Sequence, residues 1–273
     1  MTNFQRLQTT SADGTQLQLY RWNETGDVNI FLIHGYGSHA QRLSDIAKRL
    51  ASLGYRVTAL DLRGHGQSEG KQGVIDIWLR YTEDILAAIA TLRKPFFAIA
   101  QGSGALSMLS TMQGSITPRL EGIILANPLL GIIQKPSLSQ RLILKTLSKL
   151  PLPLQKQKSF RWDQLAFDSE ICTSYQHDPL CFSRTSLAFV QQMLMAQQQT
   201  LSYAQQYHYP LLMLRSPNDS ISDQDVSQHF YQQYAGKKGQ YEYLRSAHLL
   251  LEDQEKELVV QDIHTWISKQ RQR

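Results

Sequence analysis

Three stretches of this 273-residue chain hold residue types that could work together chemically. The first runs Phe97-Ala-Ile-Ala100-Gln101-Gly102-Ser103-Gly104-Ala105, a hydroxyl between glycines at the end of an apolar run. The second, Pro210-Leu-Leu-Met-Leu-Arg-Ser-Pro-Asn-Asp219, ends an apolar run in an acid. The third, Tyr241-Glu-Tyr-Leu-Arg-Ser-Ala-His248, places a histidine just past an expected strand. An acid beside an imidazole fixes its tautomer and stabilises its cation, so Asp219 and His248 could form a general base with its orienting carboxylate. Taken singly, each is as well read as a surface Asp or a surface His. Asp223 is a rival acid, but its position suits the first turn of the following helix, where an acid favours the dipole.

Such residues must be held by strand ends. Thr15 to Trp22 alternates and predicts a strand with one wet face. Val28 to Ile33, Tyr55 to Leu62, Pro95 to Ala100, Leu120 to Ala126, Pro210 to Leu214 and Gln240 to Leu244 predict further strands. Helical spacing is expected over Ala40–Leu53, Val74–Leu92, the residues from Ser103 to Met112, Ser222–Tyr234 and Glu255–Lys269. This alternation predicts an α/β fold, a mostly parallel, doubly wound sheet with helices on both faces. Sites on such sheets form outside the carboxyl ends of the strands. Residues 1–128 and 210–273 are expected to form the core, and residues 129–209 an all-helical insertion over it.

Two glycine-rich loops follow the first buried strands. In His34-Gly35-Tyr36-Gly37 the backbone can turn sharply and leave amides free to face a ligand. A plain tight turn is an equal reading. In Asp61-Leu-Arg63-Gly-His65-Gly-Gln-Ser68-Glu-Gly70, His65 could be catalytic. The favoured reading is that Asp61, Arg63, His65 and Ser68 form a hydrogen-bonded network that holds the loop.

With these motifs in hand, the chain resembles the α/β-hydrolases of the monoacylglycerol lipase and lysophospholipase type, the serine aminopeptidase S33-like group. HGYGSHA, DLRGHGQSEG, ANP, YQHDPL, the strand before Asp219 and SAHLLLE around His248 fall in that family's order, DLRGHGQSEG being the most specific. The resemblance implies a serine esterase with a helical cap that shapes an acyl pocket. It also implies Ser103, Asp219 and His248 as catalytic residues, and Gly35, Tyr36, Gly102 and Gly104 around the oxyanion and substrate. No metal or organic cofactor is implied. The acid-then-histidine order is the one used on this fold.

The nucleophile elbow departs from the family pattern, small-x-Ser-x-small. Aligning the small positions on Ala100 and Gly104 puts Gly102 where the serine should stand. Ser103 then supplies its amide to the oxyanion hole and starts the helix. Aligning on Ser103 makes it the nucleophile but puts the bulk of Gln101 two residues before it and Leu106 at a position that is usually small. The two alternatives imply different proteins: a serine-type hydrolase of monoacyl lipids or similar small esters, or a catalytically altered member that binds an acyl ligand or partner.

The net charge of +5 is concentrated. Lys135, Arg141, Lys145, Lys149, Lys156, Lys158 and Arg161 fall between Gly122 and Trp162, with no acid among them. Ser139 to Leu150 has the spacing of an amphipathic basic helix. It suits peripheral contact with an anionic membrane, or simply a solvated face over buried leucines. No nucleic-acid module accompanies it, so no nucleic-acid partner is expected. Trp162, Phe167, Phe182 and Phe189 are candidates to line an acyl pocket or to pack the cap itself. Met1 to Ser11 lacks the apolar run of a secretory signal, and Cys172 and Cys181 make no disulfide framework. A cytoplasmic protein with reduced thiols is expected.

Overall fold

A computed structural model describes residues 4–92, 94–114, 119–133, 155–156 and 160–272. The sheet consists of β1 (Gln5–Thr10), β2 (Gln16–Trp22), β3 (Asn29–Ile33), β4 (Arg56–Leu60), β5 (Phe96–Gln101), β6 (Leu120–Ala126), β9 (Leu211–Arg215) and β10 (Lys238–Glu242). Their order is β1-β2-β4-β3-β5-β6-β9-β10. The β1–β2 and β2–β4 pairs are antiparallel and the others parallel. The expected α/β class with a mostly parallel sheet is therefore present. The sequence reading missed β1, whose residues QRLQTT are polar. It is an edge strand held by its register with β2, so its membership rests on backbone pairing rather than burial.

Helices α1 (Ser44–Ser52), α2 (Leu79–Ala90), α3 (Ser103–Met112), α4 (Ser169–His177), α5 (Leu187–Ser202), α6 (Gln224–Gln233) and α7 (Lys256–Arg271) are described. The expected helix over Val74–Leu92 starts later, at Leu79. Ile75 and Trp78 are buried in the core from the preceding loop, so their apolar spacing reflects packing rather than helix. Asp223 is the N-cap of α6 rather than part of its first turn, accepting the Val226 amide. The expected all-helical insertion also contains a short antiparallel pair, β7 (Gln155–Lys156) with β8 (Thr185–Ser186). The amphipathic helix expected over residues 139–150 lies outside the described residues.

Side chains on the central strands alternate between two apolar cores. Phe96, Ala98 and Ala100 of β5 join Phe31 and Ile33 of β3 on the face covered by α2 and α3. Phe97 and Ile99 join Ile30 and Leu32 on the other face, with α1 and α7. A one-residue slip of β5 would exchange these sets across the sheet. The strand is paired on both sides, Ala100 with Ile33 and Gln101 with Ala126.

The start of α3 approaches the end of β3 closely. A Cβ on Gly104 would lie 2.3 Å from the His34 carbonyl oxygen. Backbone cannot yield there cheaply, so Gly104→Ala is expected to lower stability by about 3 kcal/mol, the upper end for overpacking. A Cβ on Gly114 would meet nothing nearer than 3.8 Å, and Gly114→Ala should leave stability nearly unchanged. Thermal denaturation of the two variants checks the contrast. Equal melting temperatures would contradict it.

Candidate active site

The bend between β5 and α3 falls on Gly102, with φ 57° and ψ −122°. That backbone is strained for an L side chain and open to glycine. Gly102 donates its amide to Ala126 O at 3.1 Å and accepts the Leu129 amide at 3.0 Å. A Cβ added at Gly102 would sit 3.1 Å from His248 Nε2, so the imidazole faces residue 102. Ser103 is the first residue of α3. Successive helical side chains turn by about 100°, which directs the two positions differently. No hydrogen bond joins Ser103 Oγ to His248 among the described residues. Ser103 and His248 do line the same cavity. The bulk of Gln101 is housed elsewhere, its Oε1 accepting the Leu251 amide at 3.0 Å.

Asp219 and His248 come together from the loops after β9 and β10. Asp219 Oδ2 accepts from His248 Nδ1 at 2.9 Å. Its Oδ1 accepts the amides of Ile221 and Ser222 at 2.8 and 3.1 Å. Burial pushes this carboxyl up, but the His248 charge and hydrogen bond, with the two amides, hold it below the usual range. With Nδ1 engaged by Asp219, Nε2 is the ring nitrogen that faces residue 102.

Asn127, in the bend after β6, ties the two loops to each other. Its Nδ2 donates to Ala247 O at 2.7 Å and His248 O at 3.2 Å, and its Oδ1 accepts the Ser216 amide at 2.8 Å. Its φ of 40° is one asparagine tolerates. Asp253 accepts the amides of Ala247, Phe167 and Asp168, joining the histidine loop to the insertion. Sequence reasoning gave neither a role, although Asn127 stood in the motif ANP. For Asn127, an asparagine between a buried strand and a proline was the available signal.

The loop after β3 supplies the other wall. His34 Nδ1–H donates to Gly35 O at 2.8 Å, and Nε2 accepts the Leu62 amide at 3.1 Å. Burial holds its pKa far below the usual value, so it is a neutral brace. Burial likewise pushes His65 down to about 4. Its Nδ1 donates to Arg63 O and its ring lies against Tyr36 and Phe182, away from His248. Around it, Asp61 accepts the amides of Ala40 and Gln67, Ser68 Oγ donates to Asp61 O, and Arg63 pairs with buried Asp84. These residues brace the loop. Among the described residues, neither the Tyr36 nor the Ser103 amide donates to a backbone acceptor outside its own element.

A cavity of about 330 Å³ opens over Gly35, Ser103 and His248. Its lining includes the apolar side chains of Leu129, Phe189, Val190, Met193 and Ile221 and the polar ones of Ser38, Gln164 and Tyr175. Of the four aromatic candidates, Phe189 lines the cavity. Phe182 packs on Tyr36 and His65 instead, Trp162 on Phe160 and Tyr175, and Phe167 is exposed. Tyr175 OH donates to Glu252 Oε1 at 2.7 Å and pairs with Ser38 Oγ at 2.9 Å. Burial pushes Glu252 up to about 7 against the pull of Arg42, Tyr175 and Gln101. His39, Asp178 and Cys181 cluster within 4.8 Å. Arg42 lies 3.7 Å from Asp178, and burial pushes the Cys181 thiol up, so the cluster suits an ion pair better than a cation.

A parallel sheet carrying a strand–bend–helix elbow, an acid and a histidine on successive strand ends, and facing amides defines an α/β-hydrolase. Residues 26–255 match the serine aminopeptidase S33 family, and the chain belongs to it. A monoglyceride lipase homolog of Monkeypox virus is 27% identical over 248 residues, covering 87% of this chain and 88% of the viral protein. The monoglyceride lipase of Rattus norvegicus is 25% identical over 270 residues, covering 94% and 88%. The crystal structure of Paleococcus ferrophilus monoacylglycerol lipase has the same fold, with a TM-score of 0.84 at 22% identity over 93% of this chain and 99% of that one. No described helix is long and apolar enough to cross a membrane.

Two outcomes follow from this geometry. Asn127→Ala strands buried groups on both the Asp219 and the His248 loops and is expected to lower stability by about 3 kcal/mol in urea unfolding. A loss below about 0.5 kcal/mol would contradict the bridging role. For Glu252, the folded chain keeps a proton between the usual value of 4.5 and about 7 that the unfolded chain releases. Stability from this group therefore falls as pH rises through that window. Glu252→Gln should flatten the melting-temperature profile between pH 4.5 and 7.5; an unchanged profile would argue against it.

Proposed function

We propose that this chain hydrolyses the ester of a monoacyl lipid or a similar small ester, with His248 as general base and Asp219 as its orienting acid. The observation that supports this most is the buried Asp219–His248 pair, at 2.9 Å, bordering a largely apolar cavity. The acyl chain would lie along Leu129, Phe189, Val190 and Met193, with the head group toward Ser38, Gln164 and Tyr175. The amides of Tyr36 and Ser103 would hold the oxyanion, with Gly35, Gly102 and Gly104 allowing backbone and substrate to approach. The monoglyceride lipase relatives are consistent with this substrate class. Contact of the basic stretch with an anionic membrane belongs to the same proposal, and would show as co-sedimentation with phosphatidylserine vesicles that high salt reverses.

A second reading has its own observation. Gly102 at the elbow suits a site that binds a monoacyl ligand without turning it over. Hydrolysis of 4-nitrophenyl octanoate and 1-monooleoylglycerol separates the two. The hydrolase reading expects turnover by the wild type, a loss of at least about 100-fold in kcat in His248→Ala and a clear loss in Asp219→Asn. Equal activity in His248→Ala, or binding with no turnover of either ester, would contradict it.

A further inference from the structure

We propose, building on the hydrolase reading, that the nucleophile is a water molecule held over Gly102 and deprotonated directly by His248, with no acyl-enzyme. The base is aimed at residue 102, since its Nε2 is the heavy atom nearest to where a side chain there would begin, at 3.1 Å. Residue 102 carries no side chain to meet it. Nδ1 is engaged by Asp219 at 2.9 Å, so Nε2 is the atom that accepts a proton. No described residue donates to Nε2. The nearby hydroxyls do not replace the missing one. Ser222 Oγ lies 3.4 Å from Nδ1, on the wrong side of the ring, and Ser103 Oγ makes no hydrogen bond to the imidazole. Gly35, Ser103 and His248, which flank Gly102, all line the cavity. A water there has the polar partners such a molecule needs, in Nε2, the Tyr36 and Ser103 amides and the substrate carbonyl.

The step balances as ordinary ester hydrolysis. As the water oxygen bonds to the carbonyl carbon, one of its protons passes to His248 Nε2. The C=O π pair moves to the oxygen facing the Tyr36 and Ser103 amides. That oxyanion then collapses, the carbon–alkoxide bond breaks, and His248 returns the proton to the leaving alcohol. The products are the fatty acid and the free alcohol, from ester and water. The strained backbone that usually presents a serine here presents the water instead, and glycine adopts that backbone readily.

Three measurements on the intact chain test this. During turnover of 4-nitrophenyl octanoate, quenched samples should show no acylated protein by intact mass, and nitrophenol release should lack a burst. A fluorophosphonate probe should leave the wild type unlabelled and active. Gly102→Ser should be labelled stoichiometrically at residue 102, because the imidazole need give only a few tenths of an ångström. Gly102→Ala should lower turnover at least about 10-fold while binding of the ether 1-O-hexadecylglycerol stays within about twofold, the circular dichroism of each variant reporting its folding. Labelling or acylation of wild-type Ser103, or of any other serine, together with turnover would overturn the water mechanism and leave the hydrolase reading standing. No turnover by the wild type, with the ether still bound, would overturn both.

Discussion

The contact between Gly104 and the His34 carbonyl sets the register of the whole site. Helix α3 can start against the end of β3 because the residue at 104 has no Cβ, which would otherwise lie 2.3 Å from backbone oxygen. With Gly104 fixed there, Gly102 falls two residues earlier, at the bend. The two-sided burial of β5 makes the same demand from the other direction, since a slip would invert Phe96 to Ala100 between the cores. The position of a missing hydroxyl is thus a consequence of packing at a strand–helix junction.

Everything opposite the elbow is built to hold one imidazole. Asp219 binds Nδ1, Asn127 binds the backbone on both sides of the acid and histidine loops, and Asp253 ties the histidine loop to the insertion. Burying Asp219 is costly and is offset by the amides of Ile221 and Ser222, the Gln224 side chain and an imidazole partner able to carry positive charge. A site keeps such an arrangement intact most naturally when the imidazole still moves protons. The brace of His34 and His65, both held neutral by burial, keeps the facing loop in place without competing for that role.

Much of this was readable in the sequence, for identifiable reasons. Central strands such as VNIFLI and PFFAIA are buried on both faces and announce themselves by composition. Asp219 follows such a strand, β9, within a few residues, so its neighbourhood was legible, whereas His248 follows the exposed edge strand β10 and was legible from its place after the acid. β1 was not, because a polar edge strand is stabilised by pairing that composition does not reveal. The shortened start of α2 was hidden because Ile75 and Trp78 are buried from a loop at helical spacing. Asn127 and Asp253 act through backbone groups far away in sequence, which no local pattern encodes. The elbow was the informative case: two alignments were possible in one dimension, and the distinction lay in which glycine meets a carbonyl oxygen.

In the proposed mechanism His248 serves residue 102 rather than the hydroxyl of Ser103. A crystal structure with a hexadecyl phosphonate bound as a tetrahedral mimic tests it most directly. The expected complex has one phosphonate oxygen on the Tyr36 and Ser103 amides and a second within hydrogen-bond distance of His248 Nε2, above Gly102. Ser103 Oγ bonded to His248 Nε2 or to phosphorus would contradict it.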